Sequence, residues 1–162
     1  MSRLRLLAVL TVLASLVATP AAAAPSALWS RPLAGDPAVT RPFDRLPSPY
    51  AAGHRGVDLA GTPGQPVLAA GAGVVAFAGL VAGRPVVSVQ HADGLRTTYE
   101  PVQPSVAAGQ PVARGTPLGM LVAGHAGCPG DACLHWGLRR GTTYLDPLSL
   151  LRPPRVRLLP WH

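Results

Sequence analysis

Lysine is missing from this chain: all fourteen basic residues are arginine, set against seven acidic ones. The formal charge of +7 therefore does not titrate away at ordinary pH, because a guanidinium stays protonated. Aromatic residues are scarce at 5%, and there are two cysteines. Beyond the N-terminal segment no apolar run reaches the roughly 20 residues that a membrane-crossing helix needs. No recognised nucleic-acid-binding motif is present either, so no nucleic-acid partner is expected. Glycine and proline are abundant, 18 and 19 of 162 residues, among short apolar runs in a chain that is 48% hydrophobic. Short apolar stretches with frequent turns favour an all-β architecture over a helical one. The length suits one domain that buries its own core, and a monomer is expected.

The first residues, Met1-Ser2-Arg3-Leu4-Arg5, are followed by a largely apolar run from Leu6 to Ala18 and then by Pro20-Ala21-Ala22-Ala23-Ala24. A basic start, a short apolar region and a small-residue site read as a secretory signal peptide, cleaved near Ala23 or Ala24. The rival reading, a retained membrane anchor, is disfavoured because the run is short for a bilayer. Cleavage removes Arg3 and Arg5 and leaves no membrane segment. The expected organisation is a signal peptide over 1–24, an extended segment over 25–49, a folded domain over 50–151 and a basic tail over 152–162. The extended segment is rich in Pro, Arg and Ala, with Trp29 and Phe43 as its large anchors.

From Pro66 onward the pattern turns to strands. Apolar runs at 66–70 and 74–79 flank Gly71-Ala72-Gly73, which reads as a hairpin. Residues 85–91 alternate, and Ala92-Asp93-Gly94 supplies a turn into 95–100, so these two strands should pair antiparallel. Gly109 and Gly115 mark two further turns. Late in the chain comes Cys133-Leu134-His135-Trp136-Gly137-Leu138, where alternation sends Trp136 to the core and His135 to the opposite face.

Two stretches carry the candidate chemistry: Gly53-His54-Arg55-Gly56-Val57-Asp58-Leu59-Ala60 and the run around His135. His54 and Asp58 are four apart, a spacing that would stack them on a helix. Gly53, Gly56, Gly61 and Pro63 argue instead for a turn leading into a strand. Taken singly, Asp58 reads as a turn-capping carboxylate and His54 as a loop residue. With His135 they make two imidazoles and one carboxylate, a set suited to one zinc ion with a fourth position left for water. Other divalent ions accept the same set.

These residues resemble the lysostaphin-type (LytM-like) zinc metalloendopeptidases, which cut peptides of the bacterial cell wall. The resemblance rests on His54-Arg55-Gly56-Val57-Asp58, Gly61-Thr62-Pro63, Pro66-Val67-Leu68-Ala69-Ala70, Thr97-Thr98-Tyr99, the 106–112 segment and Leu134-His135-Trp136. It covers roughly residues 50 to 151. It implies an antiparallel β-sandwich, a barrel-sandwich hybrid built on a duplicated motif. It also implies one Zn2+ on His54, Asp58 and His135, with peptidoglycan peptides or cross-bridges as substrate. The location implied is extracellular and associated with the wall. Arg41-Pro42-Phe43 occupies the place of the strand that leads into the family's metal site. The half-motif is also similar to that of biotinyl and lipoyl carriers, but a carrier needs a lysine to modify, and this chain has none.

The chain departs from the family at two auxiliary histidines, whose places are taken by Cys133 and Pro101. Loss of a positioned general base costs about 10²- to 10⁴-fold in rate. The candidate substitutes are Glu100 and His125, with His91 read as structural. Alternation turns Glu100 away from the site if residue 101 faces it. Cys133 has two exclusive readings. It is either a thiolate closing the fourth metal position, or one half of a disulfide with Cys128, which an exported chain with two cysteines favours. The basic tail reads as a solvated terminus or as a tether to anionic wall polymers. Two functional classes follow: a wall endopeptidase, or a degenerate relative that binds wall peptides or regulates another hydrolase.

Overall fold

Residues 28–45, 47–48 and 51–152 are described by the computed structural model, and their regular secondary structure is almost entirely antiparallel β. Nine residues, Ala132–Arg140, form the central strand β10 of the larger sheet. It pairs with β2 (Gly56–Gly61) on one side and with β6 (Leu95–Glu100) on the other. Beyond β2 lies β1 (Val39–Arg41); beyond β6 come β5 (Arg84–Gln90), β4 (Gly73–Val81) and β8 (Pro111–Val112). A short strand, β11 (Thr143–Leu145), pairs with the far end of β10. The smaller sheet runs in the order β3 (Pro66–Leu68), β9 (Pro117–Leu121), β7 (Val102–Pro104). A single 3-10 turn, Pro147–Leu151, follows β11, and Asp146 caps it by accepting the Leu148 N–H at 2.9 Å. No helix among the described residues is long and apolar enough to cross a membrane.

Register converts the two-residue alternation into two different faces. Val57 and Tyr99 both oppose Trp136, and Val87 opposes Tyr99 in turn. All four are fully buried. They join Val67, Val102, Leu118 and Leu121 of the smaller sheet in one core, where each large apolar side chain contributes roughly 1.5–3 kcal/mol. Displaced by one residue, Asp58 and Glu100 both oppose His135. The core and the candidate site are therefore the two sides of the same three strands.

Two features of the fold differ from the sequence expectations. The stretch Gly71-Ala72-Gly73 is not a hairpin, because β3 pairs with β9 while β4 pairs with β5 and β8. The chain crosses there from one sheet to the other. Gly71 is small for packing reasons, since a Cβ on it would lie 2.5 Å from the Trp29 ring. The N-terminal segment is also anchored by a residue not singled out above, Leu33, which is 2% exposed. Leu68 N–H donates to Pro32 and Ser30 N–H donates to Ala70, both at 2.8 Å, so the segment follows the edge of β3. Strands β5 and β6 pair antiparallel, as their alternation predicts.

His91, at the end of β5, belongs to a buried chain of hydrogen bonds. Its Nδ1–H donates to the Ala72 carbonyl at 2.8 Å, which leaves Nε2 as an acceptor for the Thr97 hydroxyl, also at 2.8 Å. Thr97 and Tyr99 share a hydroxyl–hydroxyl bond of 2.9 Å, and the Tyr99 oxygen accepts the Ala70 N–H at 2.9 Å. A neutral imidazole satisfies every member of this chain. Burial lowers the His91 pKa, against the opposing pull of Ala72 and Asp93. It also pushes the Tyr99 phenol up to about 12.

Candidate metal centre

Asp58 lies within β2 and His135 directly across from it in β10. Opposed residues of paired strands share a face, so register alone brings these side chains together. His54 comes from the loop before β2, where the chain is clasped to residues 42–44. Its backbone N–H donates to Asp44 Oδ2 at 2.8 Å, and its carbonyl accepts the Asp44 N–H at 3.0 Å. Its ring Nδ1 lies 2.7 Å from the Pro42 carbonyl. A carbonyl only accepts, so Nδ1 carries the proton and Nε2 presents its lone pair to the cluster. Thr40 of β1 donates to the Asp58 carbonyl at 3.2 Å and ties the edge strand to the same point.

Asp58 Oδ1 is 2.9 Å from His54 Nε2 and 2.9 Å from His135 Nδ1, and the two nitrogens are 3.0 Å apart. His125, from the loop between β9 and β10, places Nε2 3.3 Å from the same carboxylate oxygen, with its ring stacked on His135 at 5.7 Å. Asp58 is 1% exposed. Burial opposes its charge, but hydrogen bonds from His125 and His135, with His54 alongside, hold the carboxyl well below the usual carboxylate range. Gly56 makes room for the His135 ring. A Cβ there would lie 2.5 Å from the Trp136 carbonyl and 2.7 Å from the imidazole.

Three lone-pair atoms this close repel one another unless a proton or a cation lies among them. Around a tetrahedral ion with bonds of about 2.0–2.1 Å, ligand atoms stand about 3.3–3.4 Å apart. The cluster is within a few tenths of an ångström of that spacing. The bond from His54 Nδ1 to Pro42 is the outer contact that metal-bound imidazoles make, fixing tautomer and ring plane. Two imidazoles and one carboxylate suit zinc. The residues present fit a metal ion.

The other candidates fall on both sides of this cluster. Glu100 opposes His135, so its side chain is on the site face, whereas Pro101 is buried. Of the two orientations that alternation left open for Glu100, the register gives the one on the site face. The Glu100 carboxylate is engaged by Arg84 Nε at 2.5 Å. His91 stays in its buried chain, and Trp136 is fully buried in the core. Cys133 is bonded to Cys128. Three partners carried no sequence signal: the Pro42 carbonyl is backbone, and Asp44 and Arg84 gain meaning only from the folded chain. A groove of about 640 Å³, lined by none of the three cluster residues, lies between Phe43, Arg45 and Tyr144. The Arg55 guanidinium lies 5.3 Å from the Tyr144 ring centre.

Residues 52–147 match the family model described as peptidase family M23. An uncharacterized protein of Mycobacterium tuberculosis is 56% identical over 133 residues, which cover 80% of this chain and 53% of that protein. The chain spans about half the length of the curated relatives it matches. Among solved structures, Csd3 of Helicobacter pylori is similar with a TM-score of 0.64 and 25% identity, over 82% of this chain and 35% of Csd3. The antimicrobial peptidase lysostaphin from Staphylococcus simulans has the same fold, with a TM-score of 0.54 and 24% identity over 69% of this chain and 49% of that one.

Proposed function

Since the chain belongs to peptidase family M23, we propose that it is an exported, zinc-dependent endopeptidase of the lysostaphin type that hydrolyses peptide bonds of peptidoglycan. The observation that carries this reading is the set of three ligand-type atoms within about 3 Å of one another, one of them pre-oriented by the Pro42 carbonyl. His54, Asp58 and His135 would hold the ion, which supplies Lewis acidity and an acidified water. Asp58 stays ionised and brings the negative charge that a divalent cation needs. His125 Nε2 stands next to the cluster and is the group placed to take a proton and return it to the leaving amine. Glu100 is engaged by the Arg84 guanidinium, so it shapes the rim of the site, and the proton is left to His125. The peptidase domain would occupy 50–151. The signal peptide and nearly all of the basic tail, with its affinity for anionic wall polymers, fall outside the described residues.

A second reading, a non-catalytic domain that binds wall peptides or regulates another hydrolase, draws support from Pro101 and Cys133, which stand where active relatives carry histidine. Zinc-loaded protein incubated with isolated peptidoglycan, beside a His54→Ala control, separates the two. Release of peptide amines above the control is expected for the peptidase. Wall binding with no release at any zinc level supports the second reading and overturns the first.

A further inference from the structure

Alternation places Cys133 on the same face of β10 as His135, two residues away, and opposite Ala60, two residues along β2 from Asp58. Thr40 Oγ1 lies 3.6 Å from Cys133 Sγ and bonds the backbone carbonyl of Asp58 as well, so one hydroxyl links the sulfur to the strand that carries a ligand-type residue. In the disulfide that sulfur is a poor ligand; a thiolate is a strong one. The loop between β9 and β10 depends on the same bridge. It holds Gly124 and Gly127 at φ +93° and +80°, and Cys128 N–H donates to the His125 carbonyl at 3.2 Å. Cys128 thus anchors the turn that delivers His125 to Asp58.

We propose that the Cys128–Cys133 bridge sets the state of the metal centre: oxidised, it leaves a three-ligand site with a coordination place open; reduced, it frees Cys133 to become the fourth ligand and close that place. The proposal rests on the metal-site reading above. Cys133 is 1% exposed while Cys128 is half-buried, so an incoming thiolate meets the Cys128 sulfur first. In reaction with a dithiol, one thiolate bonds to Cys128 Sγ and Cys133 leaves with the electron pair of the broken S–S bond. The second thiol then closes on its neighbour's sulfur and releases Cys128. Two electrons pass from the dithiol to the bridge, and its two protons are shared by the new thiols and their surroundings. Reduction therefore has two effects of the same sign: Cys133 fills the open place, and the untethered loop carries His125 away from Asp58. Reducing compartments would hold the centre closed, and oxidising ones would open it.

Cobalt(II) loading tests this without reference to hydrolysis, because a thiolate–cobalt bond adds a charge-transfer absorption band. Oxidised wild-type protein should bind cobalt without the band, Cys128→Ser should show it, and Cys133→Ser should bind without it. Wild-type protein reduced by a water-soluble phosphine, which is taken to its oxide with water, should gain the band and lose it on reoxidation. That arm stands if Cys128→Ser fails to fold. Peptide release should fall about 10²-fold or more in the reduced form, the scale of losing a positioned base. Cobalt bound with no band in reduced wild type or Cys128→Ser overturns this proposal alone. Failure of oxidised wild type to bind cobalt, or equal binding by His54→Ala, overturns the three-ligand reading and this proposal with it.

Discussion

Gly56 shows how much a single hydrogen atom decides in this site. A methyl group there would press on the His135 ring from 2.7 Å and on backbone from 2.5 Å, so the ring must turn out of its position. Gly56→Ala is expected to weaken zinc binding about 10- to 100-fold, the range for losses of ligand orientation, as read by competition with a chromophoric chelator. His125 makes the complementary case. Replacing it by Gln removes the proton carrier proposed for the reaction and none of the three ligand-type atoms, so zinc stoichiometry should hold while kcat falls about 10²- to 10⁴-fold. Unchanged kcat would return Glu100 to consideration. At this scale the sequence is informative about residue types and silent about backbone: His54, Asp58 and His135 are visible as a donor set, whereas the Pro42 carbonyl that orients His54 has no side chain to advertise it. The Arg84–Glu100 pair was equally hidden, since its members are 16 residues apart on different strands.

Strand β6 illustrates the scale of elements. Its inward residues carry polar groups into the core, and these are stable there because each has a partner. Tyr99→Phe keeps the ring but leaves the Ala70 N–H, and the hydroxyl side of Thr97, without their bonds. The expected cost is about 1–3 kcal/mol, measurable as a shift of the urea midpoint at unchanged slope. The alternation that made β5, β6 and β10 legible is also what assigns Trp136 to the core. Legibility failed at the crossing between β3 and β4. Glycines at 71 and 73 look like turn residues, yet Gly71 is small because the Trp29 ring lies against it. A local pattern does not distinguish a glycine that bends the chain from one that admits a distant neighbour.

For the whole molecule, the buried His91 predicts how stability changes with pH. Its pKa is lowered in the folded state, so between the ordinary value of about 6.5 and the folded one the unfolded chain binds the extra proton. Stability supplied by neutral His91 is present above about 6.5 and is lost as pH falls through the folded pKa. Protonation would also leave one hydroxyl hydrogen of the Thr97–Tyr99 pair without an acceptor. The urea midpoint should drop between pH 7.5 and lower pH, and His91→Gln should flatten that dependence; an equally steep profile would refute the assignment. The central strand carries a different consequence for the molecule. Because β10 gives one face to the core and the other to the ligands, mispairing by a single position would push Trp136 into solvent and His135 into the apolar interior. An offset copy forfeits the packed core and the His/Asp/His donor set together, so a stable population with a scrambled site has no structural basis.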